Sequence, residues 1–199
     1  MKEKIQALIQ QEIHAISNIP ITDDFEKAVQ LIYEYTFEKK GKVVCSGMGK
    51  AGHIAVNIAT TFCSTGTVST YLHPSEAQHG DLGILRENDV LLLVSNSGKT
   101  TEILQLLQLS QSIYPEIALI LLTGNKDSAL AQAANVVLYT GGAAEICPLG
   151  LTPTTSTTLM TIMGDMLVVL LMEKINFTKK EYSLLHHSGY LGEKAREES

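Results

Sequence analysis

The stretch "DVLLLVSNSGKTTE", residues 89–102, decides the fold. An apolar run without alternation ends at Ser95, and a helical pattern begins near Thr100. Such a run reads as a strand covered on both faces. The residues between do more than turn the chain. Gly98 permits a backbone conformation that a β-carbon disfavours. Ser95, Asn96, Ser97, Thr100 and Thr101 bring hydroxyls and an amide to a helix start. There the free N–H groups and the helix dipole favour an anion. A single Ser or Thr would serve as an ordinary cap, and this set exceeds that need. The GxxxxGK[ST] spacing of a nucleoside-triphosphate loop is absent. A phosphomonoester suits the loop better.

The same strand-then-helix texture extends in both directions. Strand-like runs lie at 42–46, 68–72, 89–95, 117–123 and 135–140, with helical stretches at 50–63, 100–113 and 128–134 between most of them. This alternation predicts an α/β fold, a parallel sheet with helices on both faces. Upstream, Ile5, Leu8, Ile9, Ile13 and Ile16 show helical spacing over 2–17. A second helix follows "TDD" at 22–24, with Phe25, Ala28, Val29, Ile32 and Tyr35 on one side and Gly41 closing it. Downstream, a loop leads to a long apolar helix ending near Ile175. Its stretch Leu159–Met172 reads as core or subunit interface. A short helix and a solvated tail, "GEKAREES", follow. No repeat or composition break divides the chain. A single domain is expected, with N-terminal helices at 1–40, an αβα core at 41–176 and a C-terminal helix and tail at 177–199.

Composition narrows the function. The chain has 199 residues, 45% of them hydrophobic, and a formal charge of -6. An acidic balance argues against nucleic acid, which asks for a basic face. No uninterrupted apolar stretch approaches the ~20 residues of a membrane span, and the N-terminus lacks a signal-peptide pattern. Cys45, Cys63 and Cys147 are odd in number with no CxxC spacing, which points to a reducing, cytoplasmic setting.

In an open parallel sheet, ligands bind beyond the carboxyl ends of the strands. Besides 95–102, the loops there carry "SGMGKAGH" (46–53), "HPSEAQHGD" (73–81) and "TGNKDSA" (123–129). "GMGKAG" has the glycine spacing of a dinucleotide loop at Gly47, Gly49 and Gly52. His73 stands where the acidic ribose ligand would be expected. Lys50 in that loop can reach a phosphate or a sugar oxygen, or simply be a solvated helix-start lysine.

"GMGKAGHIA", "HPSEAQHGDLG", "SNSGKTTEI" and "EICPLGLTPTTSTT" together resemble the sugar isomerase (SIS) domain, specifically the D-arabinose 5-phosphate isomerases. The likeness runs from about residue 40 to 192. It implies a three-layer αβα sandwich with a five-stranded parallel sheet, flavodoxin-like in kind. It also implies interconversion of D-ribulose 5-phosphate and D-arabinose 5-phosphate, which supplies Kdo for lipopolysaccharide or capsule. Many relatives carry paired CBS domains after the isomerase domain. None follows before Ser199, so feedback is expected to act on this domain, with CMP-Kdo as the candidate ligand.

Aldose–ketose isomerisation moves a proton between C1 and C2 through an enediol. It needs a base, donors for the developing oxyanion, and a way to open a cyclic sugar. The resemblance puts Lys50, Glu102, Glu145 and His186 in the catalytic set. Glu145, among Ala143, Ala144 and Ile146, is expected to have a pKa raised by partial desolvation, as suits a base. A plain surface glutamate is the alternative. Glu102 equally suits a helix's first turn. His186, in "LLHHSGYLG", matches the family's histidine, often supplied by a neighbouring subunit, but His187 and Ser188 replace the usual Pro and Gly. Substrate contacts are implied for Gly47, Gly49, Gly66, Thr67, His79, Ser95, Asn96, Ser97, Gly98 and Thr100, with "STGT" (64–67) acting across an interface. No cofactor is required. A non-catalytic, inhibitory zinc at His73 is the metal expectation, and a histidine pair pinning its loop is the plainer one. Lys99, where the family often has Glu, adds charge beside the anion. The expected partners are a small phosphosugar and further copies of the chain, as a homotetramer or homodimer. Two rivals stay open: an isomerase of another phosphosugar such as 6-phospho-3-hexulose, and a phosphosugar sensor without turnover.

Overall fold

The computed structural model describes residues 1–197. Its strands are β1 (Val43–Gly47), β2 (Ser69–Tyr71), β3 (Val90–Val94), β4 (Ala118–Thr123) and β5 (Val136–Tyr139). All pair in parallel in the order β2-β1-β3-β4-β5, with Val43 opposite both Ser69 and Val90. β1, β3 and β4 are buried along their whole length, which is why those runs show no alternation.

The helices are α1 (Lys2–Ser17), α2 (Asp24–Ile32), α3 (Lys50–Ser64), α4 (Pro74–Ala77), α5 (Thr101–Ile113), α6 (Ala129–Ala133), α7 (Thr155–Lys174), α8 (Lys179–Leu185) and α9 (Gly189–Glu197). They form a layer on each face of the sheet. Val43, Cys45, Val90, Leu92 and Val94 pack with Ile32, Ile58, Phe62 and Leu167 on one face. Val44, Leu91 and Leu93 pack with Ile103, Leu106 and Leu130 on the other. The three-layer αβα sandwich expected from the sequence is therefore the fold. Burial of this kind is the main favourable term in folding, about 25 cal/mol per Å² of apolar surface removed from water.

Several expectations are corrected. α2 does not run on to Gly41 as one α-helix. It passes into a π-helical segment, Tyr33–Glu38. Gly41 does close it: its N–H donates to Tyr35 O at 2.9 Å, and a β-carbon there would collide with Asn88 O. The helix read at 2–17 is present as α1; of its apolar stripe Ile16 packs against the core, Ile5, Ile9 and Ile13 stay about half exposed, and Ala15 is the buried residue of the helix. "GEKAREES" is not a solvated tail as far as it is described: α9 continues to Glu197 and buries Gly192 and Ala195. Arg196 donates to His186 O at 3.2 Å and ties it back; residues 198–199 lie outside the described residues. α7 is long and apolar enough to cross a membrane by length and composition. Counting uninterrupted apolar residues missed this, because Gly164 and Asp165 break the run. Half of that stretch is buried inside the protein, and Leu159, Met163, Leu167 and Leu171 belong to the core.

Candidate active site

The strand order reverses direction at β1 and β3. α3 leaves β1 toward one face of the sheet and α5 leaves β3 toward the other. A crevice opens between the two turns, where open α/β sheets bind ligands. Here it is a cleft of about 380 Å³, lined by Met48, Lys50, Ala51, Val94, Ser95, Asn96, Ser97, Thr100, Pro153, Ser156, Thr157 and Met160.

One wall is the turn after β3. Gly98 has φ +61°, where glycine alone is unstrained. A β-carbon there would also strike Ser128 Oγ. Gly98 N donates to Ser95 O at 3.1 Å and Ser97 Oγ accepts from Lys99 N at 3.2 Å. The Ser95 and Thr100 hydroxyls lie 3.1 Å apart. The turn is braced from behind by Asn125, whose amide donates to Ser97 O at 3.0 Å, and by Thr123, whose hydroxyl donates to Asn96 O at 3.2 Å. No side chain caps α5, so its first N–H groups remain available to an anion.

The turn after β1 supplies the opposite wall. Gly49, at φ +61° and ψ -128°, starts α3, and Gly47 lies at the end of β1. A β-carbon on Gly47 would meet Ala51 O at 2.6 Å, so the helix approaches the strand closely. Lys50 is exposed at the cleft and has no ion-pair partner among the described residues. Glu102 sits in the first turn of α5, half-buried.

The third wall is the start of α7. Glu145 Oε2 accepts from Thr154 N at 2.7 Å, Thr154 Oγ1 at 2.9 Å and Ser156 N at 3.2 Å. Desolvation alone would raise the carboxyl. The Ser156 side chain, the Thr154 N–H and hydroxyl, and the Ser156 N–H outweigh it, and the pKa falls below the ordinary value. The expected upward shift is therefore reversed, because a helix start wraps the carboxylate in donors. The Ser156 hydroxyl is close enough to favour the ionised carboxylate, but it makes no direct hydrogen bond of its own. Glu145 itself lines a neighbouring cavity of about 660 Å³ with Gln10, His14 and Asn18 at the end of α1 and Ala143 of its own loop. Ser156, which lines the cleft, links the two hollows through its N–H bond to Glu145. α1 supports this wall: Thr155 Oγ1 donates to Glu12 Oε1 at 2.9 Å and accepts from Ile146 N at 3.2 Å. Nothing in the spacing of α1 marked Glu12 as a support.

Cys147 Sγ accepts from Leu151 N at 3.2 Å and Thr152 N at 3.1 Å. Desolvation acts upward on this thiol, but the Thr152 and Leu151 N–H groups prevail and its pKa is lowered. Cys45, wholly buried, is pushed up to about 12.

Other expected site residues lie apart from the cleft within one chain. His186 is the C-cap of α8, stacked on Tyr182 with ring centroids 3.8 Å apart. Gly66 and Thr67 lie in the turn entering β2, at the amino edge of the sheet. Gly66 faces the Phe177 ring, and Thr67 is enclosed at 2% exposure. His79 is exposed after α4. His73 caps α4 by accepting from Ser75 N at 3.3 Å through Nδ1, which gives it a structural task. Among the described residues, no group of three or more His, Cys, Asp or Glu converges.

The SIS domain family matches residues 36–170. The arabinose 5-phosphate isomerase KdsD of Pseudomonas aeruginosa is 46% identical over 172 residues, 86% of this chain and 51% of its own length. The chain thus spans about half the length of the curated relatives it matches. A Bacteroides fragilis NCTC 9343 structure, described as a candidate phosphosugar isomerase involved in capsule formation, is 62% identical. That likeness covers 96% of this chain and 99% of the other with a TM-score of 0.94. An Escherichia coli CFT073 protein in complex with arabinose 5-phosphate is 34% identical, covers 92% of this chain and 96% of its own, and gives a TM-score of 0.85.

Proposed function

The chain belongs to the SIS domain family, and from that premise we propose that it is an aldose–ketose isomerase interconverting D-arabinose 5-phosphate and D-ribulose 5-phosphate. The observation that carries this reading is the cleft at the β1/β3 reversal. One wall is a donor-rich helix start suited to a phosphomonoester, and Lys50 stands on another. The likenesses to a KdsD enzyme and to a protein holding arabinose 5-phosphate support the same substrate class.

In this reading the phosphate lies in the turn Ser95–Thr100 and over the first turn of α5. The carbon chain extends toward α7. Glu145, kept ionised by its donors, takes the proton from the carbon next to the carbonyl. The C–H electrons form the enediol as the carbonyl oxygen gains a proton. The neighbouring hydroxyl then gives up its proton as its carbon becomes the new carbonyl, and Glu145 returns its proton to the carbon that was the carbonyl. The reaction is internally redox-neutral and asks for no cofactor. Lys50 and Glu102 assist as charge and proton partners. His79 contacts the sugar, and His186 and the turn at 64–67 reach it from a neighbouring copy in a homotetramer or homodimer. We place the enzyme in the cytoplasm, where its product feeds Kdo formation.

The test is isomerisation by the purified protein of a panel of pentose and hexose phosphates, with and without chelator. Turnover of the pentose pair, insensitive to chelator, is expected. Binding of phosphosugars with no turnover of any would favour a sensor instead.

A further inference from the structure

The start of α7 contains five consecutive hydroxyls, Thr154 to Thr158, and four of them have partners. Thr154 donates to Glu145 and Thr155 donates to Glu12. The hydroxyls of Thr157 and Thr158 donate to Thr154 O at 2.7 and 3.2 Å. Ser156 has none, although the residue is 2% exposed. A buried hydroxyl without a partner is costly to keep, so its use is to be sought outside the unliganded chain. Ser156 lines the same cleft as the anion turn and Lys50. Its N–H donates to Glu145 Oε2 at 3.2 Å, so the free hydroxyl is carried by the residue that holds the proton-transfer carboxylate. α7 is 20 residues long, and its amino end favours negative charge at this point.

Resting on the isomerase reading above, we infer that Ser156 Oγ binds the sugar end of the phosphosugar. It donates to the oxygen that passes from carbonyl to enediol. As the proton leaves carbon for the Glu145 carboxylate, the electron pair moves onto that oxygen. A donor placed there in advance stabilises the charge as it develops. No bond to Ser156 forms or breaks. The phosphate end has its own donors in the turn after β3 and the first turn of α5, which leaves this hydroxyl to the reacting carbons.

The experiment compares wild type, Ser156→Ala and Ser156→Thr. It measures kcat and KM for arabinose 5-phosphate, inhibition by inorganic phosphate, and the melting temperature without ligand. Ser156→Ala should lower kcat about 10²–10³-fold, the scale of losing one oxyanion donor. It should leave phosphate inhibition unchanged and the melting temperature equal or higher, since an unpaired buried hydroxyl is removed. Ser156→Thr keeps the hydroxyl and should recover part of the rate. A Ser156→Ala kcat within about threefold of wild type overturns the inference. So does a lost rate with a lowered melting temperature, which marks a structural role. Weakened phosphate inhibition would move the hydroxyl to the other end of the substrate and overturn it too. Inactivity of wild type on every phosphosugar sinks the isomerase reading itself. An active wild type beside an active Ser156→Ala sinks only the assignment of Ser156.

Discussion

The turn after β3 and the start of α7 both bring hydroxyls to the amino end of a helix, yet they are built in opposite ways. The first is assembled from neighbours in sequence: Ser95, Ser97, Gly98 and Thr100 bond mostly with one another. It keeps its helix donors free for a ligand. The second gathers distant parts. Glu145 reaches nine to eleven residues along the chain to Thr154 and Ser156, and Glu12 is 143 residues from Thr155. Its donors are mostly consumed by an internal carboxylate. The form of a local turn can thus be read from its residues. A long-range assembly of similar composition turns its donors inward.

Substitutions can break or sharpen this contrast. The largest effect is expected for Glu145→Gln. It should cut turnover by roughly 10²–10⁴, the usual contribution of a positioned acid–base group, while phosphosugar binding by calorimetry persists. Binding lost together with turnover would show that the α7 wall also grips the ligand.

Gly98→Ala tests the local turn. It meets Ser128 Oγ and forces φ +61° on a residue with a β-carbon. A cost of about 1–3 kcal/mol, a lower melting temperature and a raised KM are expected. Adding Ser128→Gly should relieve the clash but not the backbone strain. Full recovery of KM in the double variant would mean that the φ matters little.

Thr155→Val tests the long-range wall. It leaves Ile146 N and Glu12 without their shared partner and should destabilise by about 1–3 kcal/mol, read as a lowered urea midpoint. Phosphate inhibition should be untouched. If it weakens as well, the two walls are not independent.

A smaller effect concerns pH. Glu145 has its folded pKa depressed, so its contribution is present above the unfolded carboxyl value and lost as pH falls through the folded one. Wild type should therefore lose stability in the acid range more steeply than Glu145→Gln, a difference visible in melts from pH ~6 to ~3. Parallel curves would deny that the donors favour the anion. The smallest effect is chemical. Cys147, held by two backbone N–H groups, should alkylate at lower pH than a free cysteine thiol, as mass spectrometry of iodoacetamide-treated protein can tell.

Much of this architecture was legible in the residues. Unbroken apolar runs such as 90–94 belong to the strands covered on both faces, β1, β3 and β4. The edge strands β2 and β5 are only partly buried but lie within the other two strand-like runs. Gly98 and its hydroxyl neighbours announced the turn after β3. The stripe Ile5, Ile9, Ile13 announced a helix but not its surroundings, because periodicity reports a face and not what covers it. α9 was unreadable for a similar reason: its helix depends on Gly192 and Arg196 meeting the His186 carbonyl.

Sequence by itself determined the alternating elements, the doubly covered sheet and the turn after β3, since each rests on forces acting within a few residues. Tertiary structure alone decided the sign of the Glu145 shift, the support from Glu12 and the isolation of the Ser156 hydroxyl. Those depend on which donors and acceptors meet after the chain has folded, and a buried polar atom's energy is set by its partners rather than by its neighbours in sequence.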